Sequence, residues 1–418
     1  ASSKADCEYP LDILSFGGKS MTLLEKVEQN KEDLLNIRHQ IHRHPETAFE
    51  EIETTKLIKK VLDDAGIENH PNGDSTGVIG LIHGAKEGPV LAIRADIDAL
   101  PIKENTGLPF SSEVPGKCHA CGHDLHTTVL IGAARLLKEY QNDLCGTIKL
   151  IFQPAEEVMT GAAKTIANGA LENPKPDFIL ACHTWPDMPA GSIGVRKGTM
   201  LGASDSFKVK VIGKGGHAAH PQKGIDPVVI AAHIITQLQT IVSRRVAAID
   251  PVVVTVGRLE AGTAANIIPN EAYFEGTVRT QSNETRNHVA EILKQLAVGT
   301  ARAMGGGAEV SYTFGVGPTI SEDHLVDEIS EAVTELLGND KLLQVPSPSM
   351  GSEDFARYLE HIPGAIFRLG THNDTPESKL ALHNASLLFD EKAIPTGVAT
   401  MVGAAFKITG SDMSVLLK

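Results

Sequence analysis

His119-Ala120-Cys121-Gly122-His123-Asp124-Leu125-His126 packs three imidazoles, a thiol and a carboxylate into eight residues. No other segment of the chain has that density of metal-competent side chains. Cys118 precedes it, so Cys118-His119-Ala120-Cys121 also reads as a C-x-x-C. Three readings stand. A redox dithiol wants the C-x-x-C at a helix start in a thioredoxin-like unit, and a zinc ribbon wants a second C-x-x-C. That second pair is missing, because Cys7, Cys145 and Cys182 are scattered singly. The third reading makes Cys121 and His123 ligands of a catalytic metal site whose other ligands lie far along the chain, with ordinary core or surface histidines as the plain alternative.

Outward from this stretch, residues 77–82 and 90–94 are strand-like runs that are apolar on both faces, as in a covered sheet. Helical spacing predicts helices over 23–41, broken by the polar stretch 28–32, and over 52–62 before the Ala65-Gly66 stop. Beyond the central motif the pattern predicts a helix at 129–137, a strand at 147–152, a helix at 162–167 and a strand at 178–181. Such alternation argues for an α/β sheet with helices on both faces. Asp96, Asp98, Glu156, Glu157 and His183 all fall just past expected strand ends, at the carboxyl edge where open α/β sheets bind ligands.

From about Gly194 the grammar changes. A one-sided strand at 207–212, a long helix at 227–242, strands at 252–256 and 272–278, a helix at 286–303 and a strand at 308–314 suggest a smaller antiparallel sheet carrying two helices. We read 194–315 as an inserted α+β (ferredoxin-like) lid and dimerisation domain, and 21–193 with 316–418 as a discontinuous metal-binding catalytic domain. Helices at 326–337 and 393–406 and a strand at 365–369 return to the first pattern, before a short mobile tail. Residues 1–20 show neither period, and Met21 opens a good helix, so 1–20 reads as a leader or expression remnant.

Composition narrows the function. At 418 residues and 42% hydrophobic content the chain suits two domains with sizeable cores. With 52 acidic against 38 basic residues, net −14, and 4% aromatics, it lacks the footprint of a nucleic-acid binder. Five irregularly spaced cysteines point to a reducing, cytoplasmic compartment. No apolar run approaches the ~20 residues of a membrane span. Gly213-Lys214-Gly215-Gly216 lacks the trailing residues of a phosphate-binding loop.

Hydrolysing an amide at neutral pH needs an activated water and charge stabilisation at the carbonyl oxygen, and a pair of divalent ions supplies both. Pro154-Ala155-Glu156-Glu157 offers adjacent carboxylates at a strand exit, where one can bind metal while its neighbour faces the water; a solvated helix start is the bland alternative. His183 and His383, taken singly, read as satisfied histidines as readily as ligands, and Asp96-Ile97-Asp98 as a turn or cap.

Together these segments resemble the dinuclear-metal aminoacylase and carboxypeptidase amidohydrolases, in the branch of hippurate hydrolases and auxin-amino-acid hydrolases. The resemblance runs from about Met21 to Phe406. It is carried by 37–46 (IRHQIHRHPE), 94–101 (RADIDALP), 119–124 (HACGHD), 152–157 (FQPAEE), 213–217 (GKGGH), 266–269 (NIIP), 276–279 (GTVR) and 352–355 (SEDF). It implies that Cys121 bridges two ions, with Glu157 and His383 completing one and His123 and His183 the other. Glu156 matches the general base and Asp98 an aspartate that buttresses the ligands. His217 matches a histidine that reaches from the smaller domain of a partner subunit to the oxyanion, and Asn266 and Arg279 match substrate contacts from that domain.

Where relatives have a histidine ligand this chain has Asp96, and His123 takes over that role. Cys118 stands where many relatives carry methionine, which leaves open a disulfide with Cys121 that would abolish metal binding. A thiolate bridge favours borderline-soft ions, so zinc fits, with nickel, cobalt or manganese as substitutes. The expected enzyme is a homodimeric hydrolase of N-acyl-amino acids. A dipeptidase or carboxypeptidase of the same fold, or an inactive metal-binding relative, is the alternative.

Overall fold

The computed structural model describes residues 21–418, so the expected leader at 1–20 lies outside the described residues. The helix Leu23–Arg43 starts on a capping box: the Thr22 side chain accepts from the Glu25 amide, and the Glu25 carboxylate accepts from the Thr22 amide. Contrary to expectation it runs unbroken through 28–32. Val27 and Leu34 lie two turns apart on its buried face, and the polar residues between them occupy the outer one.

Eight strands form the large sheet, in the order Glu68–Pro71, Val78–His83, Cys145–Gln153, Lys86–Asp96, Phe178–Pro189, Gly364–His372, Ile193–Val195 and Leu342–Gln344. Its centre is parallel: Lys86–Asp96 pairs in parallel with Cys145–Gln153 and with Phe178–Pro189, which in turn pairs in parallel with Gly364–His372. The expected apolar runs are covered on both sides because their side chains alternate between two cores. Leu91, Ile93 and Ala95 enter one, packed under Leu23–Arg43, His123–Glu139, Asp323–Leu337 and Ala393–Thr409. Ala92, Ile151 and Ile179 enter the other, with Ala162, Phe355 and Tyr358 above them.

The four-stranded sheet is antiparallel throughout, in the order Val252–Ala261, Glu271–Thr280, Ala203–Ile212 and Gly307–Val316. Along the chain its elements run strand, helix, strand, strand, helix, strand, the split βαβ arrangement of ferredoxin-like folds. Phe207, Val209 and Val211 point into a core under the helices Pro227–Thr240 and Asn283–Ala303, while Ser206, Lys208 and Lys210 are exposed.

The chain's last residues are not a loose tail. Leu416 is fully buried, and its carbonyl accepts from the Leu23 amide at 2.7 Å, clamping the end of the chain to the start of the first helix. No helix among the described residues is long and apolar enough to cross a membrane.

Candidate active site

Gly122 sits at φ +82°, and a Cβ there would lie 2.7 Å from the Thr184 hydroxyl oxygen. Glycine therefore lets the backbone turn tightly against the strand Phe178–Pro189. The helix His123–Glu139 follows directly, so His123 opens a helix that starts before the expected residue 129. The Thr184 hydroxyl donates to the Cys121 carbonyl at 2.8 Å, tying the turn to the strand. His183 lies within that strand and not beyond its end, because the strand runs on past the apolar residues 178–181.

At the exit of Cys145–Gln153, Ala155 adopts φ +57° and its amide donates to buried Glu51 at 2.9 Å. The short 3-10 turn Glu156–Val158 then splays the two glutamates apart. The Glu157 amide donates to Asp98 Oδ2 at 3.0 Å, and Asp98 Oδ1 lies 3.2 Å from His123 Nδ1. One carboxylate thus fixes both the turn and the imidazole. His383 arrives from a distant loop at φ +67°, held by its amide on the Ala120 carbonyl at 2.9 Å.

The free ends of these side chains converge. Cys121 Sγ is 3.6 Å from His183 Nε2, and His383 Nε2 is 3.4 Å from Glu157 Oε2. His123 Nε2 lies 3.8 Å from Glu157 Oε1 and 4.0 Å from Glu156 Oε2. Cys121, His123 and His183 form one group whose ligand atoms all fall within 4.8 Å of one another, and Cys121, Glu157 and His383 form a second. Cys121 belongs to both, as a bridging ligand must.

Two observations bear on whether these residues suit metal ions. His123 Nε2 and Glu157 Oε1 are buried without a hydrogen-bond partner and lie 3.8 Å from each other. His183 donates through Nδ1 to the Thr184 carbonyl at 2.8 Å, leaving Nε2 as the lone-pair end. Burial, with His126 nearby, pulls His183 down to about 3, so it stands neutral and ready to bind. The donor set of thiol, imidazole and carboxylate fits a borderline ion such as zinc.

Burial, reinforced by Glu353 and Asp354, pushes the Glu156 carboxyl well above its usual range. Burial pushes Glu157 the same way, but His383 and His123 outweigh it and hold Glu157 low. Adjacent carboxylates therefore sit in opposed environments, the pattern that separates a proton carrier from a ligand.

The residues our sequence reading left without a role are those of the buried support. Arg94 donates to Gln153, Asp96, Glu353 and Asp354 at 2.7–2.9 Å. The Asp354 amide reaches Glu156 Oε1 at 3.3 Å. Asp96 Oδ1 also lies 2.5 Å from His126 Nδ1, so Asp96 is held between Arg94 and His126. The signal was present in His126 and in the 352–355 segment, but nothing local marks two segments more than 200 residues apart as partners.

A cleft of about 380 Å³ opens over these groups, walled by Trp185, Met159 and Leu382. Arg279 joins its lining from the small sheet. His217 and Asn266 do not. They are exposed neighbours on a two-stranded ribbon in which His217 pairs with Ile267 and the Ala218 amide donates to the Asn266 carbonyl at 3.1 Å.

The N-acetyl-L-cysteine deacetylase of Bacillus subtilis (strain 168) is 43% identical over 389 residues, covering 92% of this chain and 89% of that protein. The IAA-amino acid hydrolase ILR1-like 2 of Arabidopsis thaliana is 40% identical over 373 residues, covering 88% and 83%. Among solved structures, the Bacillus subtilis YXEP protein, described as a dinuclear metal binding peptidase from the M20 family, superposes with a TM-score of 0.81 at 37% identity, covering 92% of this chain and 100% of that one. The profile of peptidase family M20/M25/M40 matches residues 92–407, and the chain belongs to that family.

Proposed function

We propose that the protein is a metal-dependent amidohydrolase that cleaves N-acyl-amino acids into a carboxylic acid and a free amino acid. The observation that carries this reading is the pair of three-residue groups sharing Cys121, with Glu156 beside them. Cys121, His123 and His183 would hold one divalent ion, and Cys121, Glu157 and His383 the other. Zinc suits the set best, with nickel, manganese or cobalt as substitutes. Ions bound there would supply Lewis acidity at the scissile carbonyl and at the attacking water.

The chain's own residues do the rest. Glu156, whose proton affinity is raised by burial, would in its ionised form take a proton from the attacking water and return it to the leaving nitrogen. Asp98 keeps His123 and the Glu157 turn in register. Arg279 offers a guanidinium in the cleft for the free carboxylate that every N-acyl-amino acid carries. His217 and Asn266 lie outside the cleft of their own chain, which supports a homodimer in which the 194–315 domain of one protomer lends them to the other. Exposed Val228, Val229, Leu259 and Ile267 on this domain give such a pairing an apolar surface. Four unpaired cysteines among the described residues suit a cytoplasmic setting.

The test is turnover of an N-acetyl and N-benzoyl amino-acid panel, with dipeptides alongside, before and after chelation and metal readdition. Faster cleavage of dipeptides would move the protein to the peptidase reading, and no turnover by the reconstituted protein would overturn the enzyme.

A further inference from the structure

Trp185 forms one wall of the cleft, and the guanidinium of Arg368 lies 3.7 Å from the centroid of its ring. The two are neighbours by register: Arg368 pairs with His183, and Trp185 is two residues further along the same strand face. Arg368 is 7% exposed, yet its Nε and Nη2 are buried with no hydrogen-bond partner among the described residues. Asp187, the nearest influence of opposite sign, is exposed and makes no ion pair with it, and Arg196 adds a like charge. Burial and that neighbour pull Arg368 down to about 10.

Every other buried arginine among the described residues has at least one carboxylate partner, although Arg38 Nη2 is itself left without a hydrogen bond. Arg38 has Asp124 and Glu391, Arg94 has three acidic partners, and Arg286 has Asp205. A guanidinium whose Nε and Nη2 edge is buried without a partner is penalised unless an anion completes it. Nε and Nη2 form the edge of the guanidinium that meets both oxygens of a carboxylate at once.

We propose that Arg368 and Trp185 form a carboxylate-binding site behind the wall of the cleft, with the Nε and Nη2 edge of Arg368 taking the carboxylate side-on and the indole covering the guanidinium face. The site is separate from Arg279, which enters the cleft from the small sheet. The inference does not need the amide-hydrolase reading to be right, since it rests on side chains that touch none of the proposed metal ligands through a hydrogen bond.

The chain holds a single tryptophan, so intrinsic fluorescence reports this one position. The metal-loaded protein is titrated with sodium formate at constant ionic strength, balanced with a bulky organic sulfonate, and thermal midpoints are recorded in parallel. Saturable change in Trp185 emission and a rise in Tm with formate are expected for the wild type. Arg368→Met should lose both responses while keeping its metal content. Arg368→Lys keeps the charge but not the fork, and should need at least tenfold more formate. Formate that binds the metal centre instead would act alike on all three proteins, and an equal response in Arg368→Met, or a flat wild-type titration, overturns the site. Chloride run in place of formate separates the two anion sources: a chloride response equal to that of formate would show a site for any small anion and overturn the carboxylate fork.

Discussion

The two sheets carry chemistry in opposite ways. Around the large sheet three of the candidate side chains are pinned by a second contact: His123 by Asp98, His183 by the Thr184 carbonyl, Glu156 by the Asp354 amide. On the small unit His217 and Asn266 stand exposed at a short two-stranded ribbon and outside the cleft. The first set is preorganised before any substrate arrives. Under the proposed dimer, the second set would complete the cleft of a partner subunit.

The sharpest way to break this contrast is inside the large unit. Glu156→Gln should keep metal content near wild type and slow turnover by ~10²-fold or more, because only the proton carrier is lost. Glu157→Gln should lose metal, measured by elemental analysis of the dialysed protein. The reverse pattern would exchange the two roles.

Next in size is the small unit. His217→Ala is expected to slow turnover by roughly 10²-fold, the scale of one lost oxyanion donor, with no change in metal content. Mixing it with Glu156→Gln under subunit exchange should restore about a quarter of wild-type activity, since half of the random dimers then hold one complete site. Mixed dimers that form and stay inactive would return His217 to its own chain or to no catalytic role.

The smallest effect concerns the buried support beneath the site. Burial works against the charged form of His42, but Asp124 and Glu104 outweigh it and raise its pKa from 6.5 to about 9. The folded state therefore binds this proton more tightly than the unfolded chain does. The resulting stabilisation, up to roughly 3 kcal/mol, is present in full below pH 6.5 and is lost as pH rises through 9. Chemical denaturation between pH 6 and 9.5 should show that decline in the wild type and a flatter curve in His42→Gln.

What could be read in advance follows the same division. The apolar runs at 77–82 and 90–94 announced covered strands because both faces of the large sheet are buried, and 207–212 announced a one-sided strand because its outer face is wet. Cys121 and His123 were legible because they crowd one segment. The length of Phe178–Pro189 was not, since beyond Cys182 it is sustained by pairing with Gly364–His372 and not by an apolar run. The start of the helix His123–Glu139 was hidden for a related reason: its first turn is polar because it faces the site. The link from Arg94 to Glu353 and Asp354 was hidden because burial, and not spacing, is what joins them.

The clamp between Leu23 and Leu416 has a consequence for how the molecule is made. Gly364–His372 is an interior strand of the large sheet, Ala393–Thr409 covers that sheet, and Leu416 closes the chain onto its first helix. The large core therefore cannot close until Leu416 has been made, well after every element of the small sheet. The small unit, contiguous from Ala203 to Val316, has all its strands and helices by then. It can fold first, as an outgrowth on an unfinished body, while the apolar strands of the larger unit wait exposed for their central partner.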